Sequence, residues 1–476
     1  MPRLGPPGMV TLYAAVWMVF GWANGQRRLA DSSFLWHLTT GHWILEHGIP
    51  RSDIYSFTAP GTSWVAQSWL AEVCYALLDE AGGPVALRLF GAAVGLAIAA
   101  LSFRLALRLS NDRLAAALLP ASGLIAAGLV WSERPLLLGV LALLVLVWVV
   151  DVPGSPVGRH PCLAVPAVMW LWVNVHGSFA LGFGFLALHL AGRWLDGAPP
   201  WRDRERALAR AGLLAGAVCL VNPYGPALLW FPVALLMRGD VLAAIIEWKS
   251  PDLRTPQGLM FALFLATVLV VLARARRRPS RRDLLVLVPF LLLALWAQRN
   301  IAAAPVVALP IVSRLAGRDA PRPDARRRPH WVPLAMVLAF AVFWTADRLP
   351  RPAFGHDVTD YPVAAMRAVE RKGLLGRRLL TTDVWAGYTI HEYWPRQHVF
   401  IDDRYDMYPR QLIHDYLRLL GGEPSWRSTL DRYRVEVVVW PREHAFAQIL
   451  SGDLRWRLVY SDAAAVVYTR AGATAG

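Results

Sequence analysis

The segment LADSSFLWHLTTGHWILEHGIPRSDIYSFTAPG, residues 29–61, follows the first long apolar run of the chain. It is too polar to cross a bilayer and too rich in Trp, Ile and Leu for a solvated loop. Phe34, Leu38 and Leu45 recur along one face with Trp36 and Trp43 beside them, and this spacing predicts a helix over 33–47. Asp31, Ser32 or Ser33 supplies its N-cap, and Gly48 followed by Pro50 supplies the stop. A second helical run, WVAQSWLAEVCYALLD at 64–79, follows the APG turn at 59–61. Two tryptophan-bearing amphipathic helices set between apolar runs are expected to lie in a membrane interface, apolar faces down. Asp31 then stands at the mouth of a membrane-edge cavity, with Asp53 on the turn joining the helices.

The rest of the chain points to a polytopic membrane protein. Of 476 residues, 56% are hydrophobic and 17% charged, where soluble domains run near a quarter charged. Candidate spans are 9–24, 84–107, 114–131, 135–151, 162–176, 178–194, 208–222, 257–273, 284–297, 300–316 and 331–347, about eleven in all. The first is read as a retained span rather than a cleaved signal, because no small-x-small site follows it. Cys74, Cys162 and Cys219 lie in apolar stretches without metal-ligand spacing and read as buried thiols.

The net charge of +15 comes largely from arginines clustered in short loops. Residues 274–282, RARRRPSRR, carry six, the loop from Arg314 to Arg328 six more, Arg193 to Arg210 five, and 104–113 three. That is the positive-inside pattern and not a nucleic-acid stripe; it places the N-terminus in the cytoplasm and everything after 347 outside. The low-arginine connections then share the outer side: the 25–82 loop, WSERP at 131–135, NVHGS at 174–178, NPYG at 222–225, IEWKSPD at 246–252 and AQRN at 297–300. Residues 225–238 are apolar but would break the parity, so they are read as an interfacial or re-entrant helix.

The expected fold class is therefore mainly α: a polytopic transmembrane helical bundle over 1–350 with a C-terminal α/β extracytoplasmic domain over 355–476. That last region alternates helical patterns (DYPVAAMRAVERKG, YPRQLIHDYLRLLGG) with five strand-like runs (RRLLTT, HVFID, VEVVVW, RWRLVY, AAVVYT).

An acidic residue in an amphipathic outer loop just after the first span, many further spans and a C-terminal outer domain together resemble the GT-C class of membrane glycosyltransferases. Within that class it resembles the lipopolysaccharide-core and protein-mannosylating branches. The resemblance covers the whole chain in architecture; its motif is LADSSF, a single acid where many members carry Asp-Glu or Asp-Asp. It implies a polyprenyl-phosphate sugar lipid as donor and a glycan, lipid or protein as acceptor, at the outer face of a bacterial-type cell membrane. A divalent metal stays open, and no metal-ligand set stands out.

Sugar transfer of this kind passes through an oxocarbenium-like state while the acceptor hydroxyl loses a proton, so a carboxylate against the acceptor serves as general base. Asp31 is the first candidate and Asp53 the second; the alternatives are a helix cap for Asp31 and a turn for Asp53. The departing lipid phosphate needs cations, for which Arg134 and Arg299 are candidates. His37, Glu72, His176 and Glu247 complete the candidate substrate contacts. Their structural alternatives are a local partner for His37, a solvated face for Glu72, a tight turn for His176 and an exposed pair with Lys249 for Glu247. Asp402 and Asp403, ending the HVFID run, and Asp383 are further candidates in the C-terminal region. Two other classes remain: a transporter or flippase of a lipid-linked envelope precursor, which would need mid-span charges and repeated halves, and an inactive scaffold with an outer binding domain.

Overall fold

The structure is a computed structural model that describes residues 8–26, 29, 31–128, 131–198, 202–318, 330–348 and 358–471. Residues 319–328 of the arginine-rich loop, 129–130 of the expected 114–131 span and 355–357 of the expected outer domain lie outside the described residues.

Helices dominate. The chain opens with α1 (Met9–Gly25), α2 (Ser32–His47) and α3 (Trp69–Ser110). It continues with α4 (Arg113–Gly128), α5 (Leu136–Asp151), α6 (Pro161–Val175), α7 (Ala180–Leu195) and α8 (Asp203–Val218). Next come α9 (Pro226–Leu236), α10 (Gly239–Leu242), α11 (Pro256–Arg274), α12 (Arg281–Trp296), α13 (Ala304–Ala316) and α14 (Trp331–Arg348). Each of the candidate spans falls on a helix, with ends displaced by up to about five residues except over 84–107, where α3 begins at Trp69, ahead of its break at Gly82-Gly83. Three stretches are long and apolar enough to cross a membrane, Trp69–Ser110, Gly177–Leu195 and Pro256–Arg274, and six shorter helices are apolar. Length and composition thus single out three spans where eleven were expected.

Contacts divide the chain into two compact units, and the division does not follow chain order. The first comprises residues 1–27, 82–232 and 242–354; the second comprises 28–81, 233–241 and 355–476. The first outer loop, assigned above to the apolar domain, therefore packs with the C-terminal region. Helix α3 changes unit at Gly82-Gly83-Pro84, where Gly83 adopts φ +60° and breaks the helical path.

In the first unit, α1 approaches α3 backbone to backbone. Gly21 and Gly25 lie against Gly95 and Gly91, and a Cβ on any of the four would strike a carbonyl of the facing helix. The ends of α5, α7, α12 and α13 are tied by charge. Arg282 reaches both carboxylate oxygens of Asp151 at 2.8 and 2.9 Å and His189 Nδ1 at 3.0 Å. Arg314 bonds Asp151 at 2.7 Å and Asp283 at 3.0 Å. Asp283 also completes a capping box with Ser280 at the start of α12. Two arginines and two aspartates balance one another, as desolvated charges require.

The second unit is α/β. It adds α15 (Val363–Arg371), β1 (Leu379–Leu380), α16 (Asp383–Tyr393), α17 (Arg410–Leu420), α18 (Trp426–Arg432), β2 (Val437–Pro441), α19 (Ala445–Ser451), β3 (Trp456–Ser461) and β4 (Ala465–Arg470). The sheet has four strands in the order β1-β2-β4-β3, with β1 parallel to β2 and the other pairs antiparallel. Strand β2, VVVWP, is apolar throughout because it is central and covered on both faces.

The fifth expected strand, HVFID at 398–402, is not one. Val399 makes only isolated bridges, to Leu379 and to Ser56 of the first loop. Its backbone exchanges bonds with that loop, Phe57 N to Val399 O at 3.1 Å and Val399 N to Tyr55 O at 3.0 Å. Helix α2 also differs from the interfacial expectation. Phe34, Leu35 and Leu38 are buried at 0–1% exposure, and α16 packs along it so closely that Gly387 abuts Ser32. Protein, not lipid, covers that face.

The glycine contact gives a test with opposite signs. Gly21→Ala forces α1 from α3 and should cost about 1–3 kcal/mol. Gly212→Ala, which meets nothing within 4 Å, should stabilise by about 0.5–1 kcal/mol. Thermal unfolding of the detergent-solubilised protein reads both.

Candidate functional site

The second unit is organised around Arg404. Its Nε and Nη2 bond the two oxygens of Asp402 at 2.8 and 2.6 Å, and Nη2 also reaches Asp53 Oδ1 at 2.7 Å. Exposure of these side chains is 0–1%. The guanidinium lies 4.3 Å from the Trp64 ring centroid and 4.9 Å from that of Tyr55. Burial alone would lower its pKa, but Asp402, with Asp53 behind it, holds it well above the ordinary value. The same enclosure raises the Tyr408 hydroxyl, by burial first and then by Asp402, to which it donates at 2.8 Å.

Asp53 is thereby accounted for. Its oxygens accept from the amides of Tyr55 at 3.2 Å and Ser56 at 3.0 Å, from the Ser56 hydroxyl at 2.5 Å, and from Arg404. This is the turn-closing role with a cation added, and it leaves no carboxylate face toward a substrate.

Asp31 is the N-cap of α2: its Oδ1 accepts from Ser33 N at 2.9 Å and Phe34 N at 3.3 Å. Ser33 is shared, because its hydroxyl donates to Asp403 Oδ2, while Asp403 Oδ1 takes the Trp36 indole N–H at 2.6 Å. Two carboxylates from residues 372 positions apart thus meet one serine, a pairing that local sequence does not announce. The visible hint was the doublet Asp402-Asp403, whose neighbours turn opposite ways, one to Arg404 and one to α2.

His37 and Glu72 are brought together, Nδ1 to Oε1 at 2.7 Å, with His37 stacked on Trp36 at 3.7 Å between centroids. Glu72 is 1% exposed, so its solvated-face alternative does not hold. Its Oε2 is buried without a hydrogen-bond partner, a costly state that the imidazole offsets in part. Asp383 receives the hydroxyls of Tyr405 at 2.8 Å and Tyr416 at 2.6 Å, and its helix is capped by Thr382.

In the first unit, the remaining candidates converge. Arg134 pairs with Glu247, which replaces the expected Glu247–Lys249 pair. Arg299 lies 4.6 Å over the Trp248 ring, and the two loops are joined by Gln298 N to Lys249 O at 2.9 Å. Among the described residues no carboxylate pairs with Arg299. Burial lowers its pKa below the ordinary value; Glu247 opposes that shift and Arg134 adds to it. His176 holds a tight turn, bonding the Ser178 hydroxyl at 2.7 Å and its amide at 3.1 Å.

Arg299, Asn300, Ser178 and Trp172 line a small cavity of about 30 Å³. A second small cavity of about 20 Å³, walled by Leu119, Leu124, Phe264 and Val306, shares Val140 and Ala302 with it. A small hollow headed by the half-buried Arg299 thus shares part of its wall with an apolar one. Trp248, Asn300 and Ser178 were not singled out from the sequence, because their relevance depends on loop contacts. Among the described residues no three His, Cys, Asp or Glu side chains group as metal ligands.

No family model matches the sequence, and no curated protein does. Among solved structures, the archaeal oligosaccharyltransferase AglB of Archaeoglobus fulgidus, in complex with an inhibitory peptide and a dolichol-phosphate, is similar over 96% of this chain and 74% of its own. The TM-score is 0.57 and the identity 13%. The apo form of the Archaeoglobus fulgidus oligosaccharyltransferase matches over 97% of this chain and 74% of its own, with TM-score 0.54 and 11% identity. The expected GT-C fold is therefore the fold of this chain.

Two outcomes follow in the second unit. Arg404→Met strands two buried carboxylates and should cost about 3–5 kcal/mol, read as lost amide protection in hydrogen exchange over 28–81 and 358–471. Asp406 is raised by burial to about 6, against the pull of Arg404. Its folded pKa exceeds the unfolded value of about 4, so the unit loses stability as pH rises from about 4 to about 6. Asp406→Asn should flatten the melting temperature across that window.

Proposed function

We propose that this chain is a polytopic membrane glycosyltransferase, moving a sugar from a polyprenyl-phosphate donor to an acceptor hydroxyl at the outer face of the membrane. On this reading the helices of the first unit form a bundle of about eleven spans, with the N-terminus cytoplasmic and the C-terminal region extracytoplasmic. The observation that carries it is Arg299: a half-buried guanidinium at the head of a small cavity, with no carboxylate pair among the described residues, suits an anion, and the apolar side chains walling the adjoining hollow match an isoprenoid chain in chemistry. The oligosaccharyltransferase fold supports the same reading, since one such structure holds a dolichol-phosphate.

The chemistry divides between named groups. The bond from the sugar's anomeric carbon to the phosphate oxygen breaks, and the electron pair leaves with the polyprenyl phosphate, held by Arg299 with Arg134 nearby. The acceptor oxygen bonds the anomeric carbon and gives its proton to a carboxylate base, for which Asp31 is our candidate. Asp53 is assigned no chemical step; it anchors Arg404. Asn300, Ser178 and Trp172 line the phosphate end, and His176 shapes it through Ser178. His37, on the helix that Asp31 caps, forms a buried pair with Glu72 of α3. No step is assigned to a metal.

Asp31→Asn is a clean test, because Asn caps a helix as well as Asp while removing the base. With a radiolabelled polyprenyl-phosphate hexose, turnover should fall by about 10²–10⁴ at unchanged donor affinity. Arg299→Ala should lower kcat/KM by about 10²–10³ and weaken donor binding. Wild-type turnover in both variants would overturn the reading.

A further inference from the structure

Ser33 donates twice, through its amide to Asp31 Oδ1 at 2.9 Å and through its hydroxyl to Asp403 Oδ2. Asp403 takes a second donor one helical turn on, the Trp36 indole at 2.6 Å. The first turn of α2 is therefore bound on one side by its own cap and on the other by a carboxylate from the C-terminal region. That carboxylate cannot drift. Its neighbours Asp402 and Arg404 are buried at 0% and 2% exposure and locked to each other and to Asp53. Without Asp403, the Ser33 hydroxyl and the Trp36 indole would lose a charge-assisted acceptor, and the turn that carries Asp31 would lose a tether.

We propose that Asp403 is a positioning residue: by holding Ser33 and Trp36 it fixes the turn that carries Asp31, so that the C-terminal region sets the direction of the reactive carboxylate. The catalytic consequence rests on the assignment of Asp31 as base; the mechanical one does not. A carboxylate misplaced by a fraction of an ångström loses its line to the acceptor proton.

The experiment uses full-length protein in lipid nanodiscs with Asp403→Asn, Ser33→Ala and Asp31→Asn. Ser33→Ala removes only the shared hydroxyl and guards against an Asp403 variant that fails to fold. Amide exchange over 32–36 should rise about fivefold in the Asp403 and Ser33 variants, the worth of a weakened cap, with exchange over β2 and β4 unchanged. With the labelled polyprenyl-phosphate hexose, kcat should fall about tenfold while KM for the donor stays within about twofold. A merely structural role would lower the amount of folded enzyme and leave kcat per folded molecule intact. Unchanged exchange over 32–36 in both variants overturns the positioning role, whether or not the probe turns over; so does faster exchange with unchanged kcat. Wild-type turnover in Asp31→Asn overturns the base assignment instead, and the two failures are separable.

Discussion

A guanidinium sealed from water between two carboxylates is the constraint on which the second unit depends. Arg404 cannot be left alone in that interior, and neither can Asp53 or Asp402. Once they meet, the strand-like segment around Val399 must lie beside residues 55–57, and Trp64 and Tyr55 must close over the cation. The first loop thereby becomes part of an α/β unit it never adjoins in sequence. The adjacent acid, Asp403, is carried to the start of α2 as a by-product of the same turn.

Much of this was legible and some was not, for physical reasons. Helix α2 was readable with its cap and stop because those signals are local: an Asp before an apolar period, a glycine and proline after it. The helical identity of the long apolar runs was equally plain. Where the faces of α2 go was not readable, since an apolar stripe looks the same whether lipid or α16 covers it. The HVFID run has the composition of a strand but finds its partners in residues 55–57 and Leu379, so it forms bridges without a ladder.

The site residues divide in the same way. Asp31 carried its cap and its candidacy together, and the structure places the cap without removing the chemistry. Asp53 looked like a second candidate acid or a turn-closing one; only a partner 351 residues away reveals it as an anchor. Arg299 was singled out because it joins two close helices, and that closeness is what desolvates it over Trp248. Glu72 looked solvent-facing on its own helix, yet His37 and the tight approach of Gly41 enclose it.

The separation of Asp53 from Arg404 has a bearing on biosynthesis. The aspartate emerges from the ribosome hundreds of residues before its counterion, and every helix from α3 to α14 is made in the interval. For all that time the early segment has a turn ready but nothing to neutralise it, so it waits as an open, hydrated hairpin. The unit can close only after residue 404 has been made, which makes its synthesis a checkpoint: a chain truncated before it would leave the early loop without its counterion and open to proteolysis.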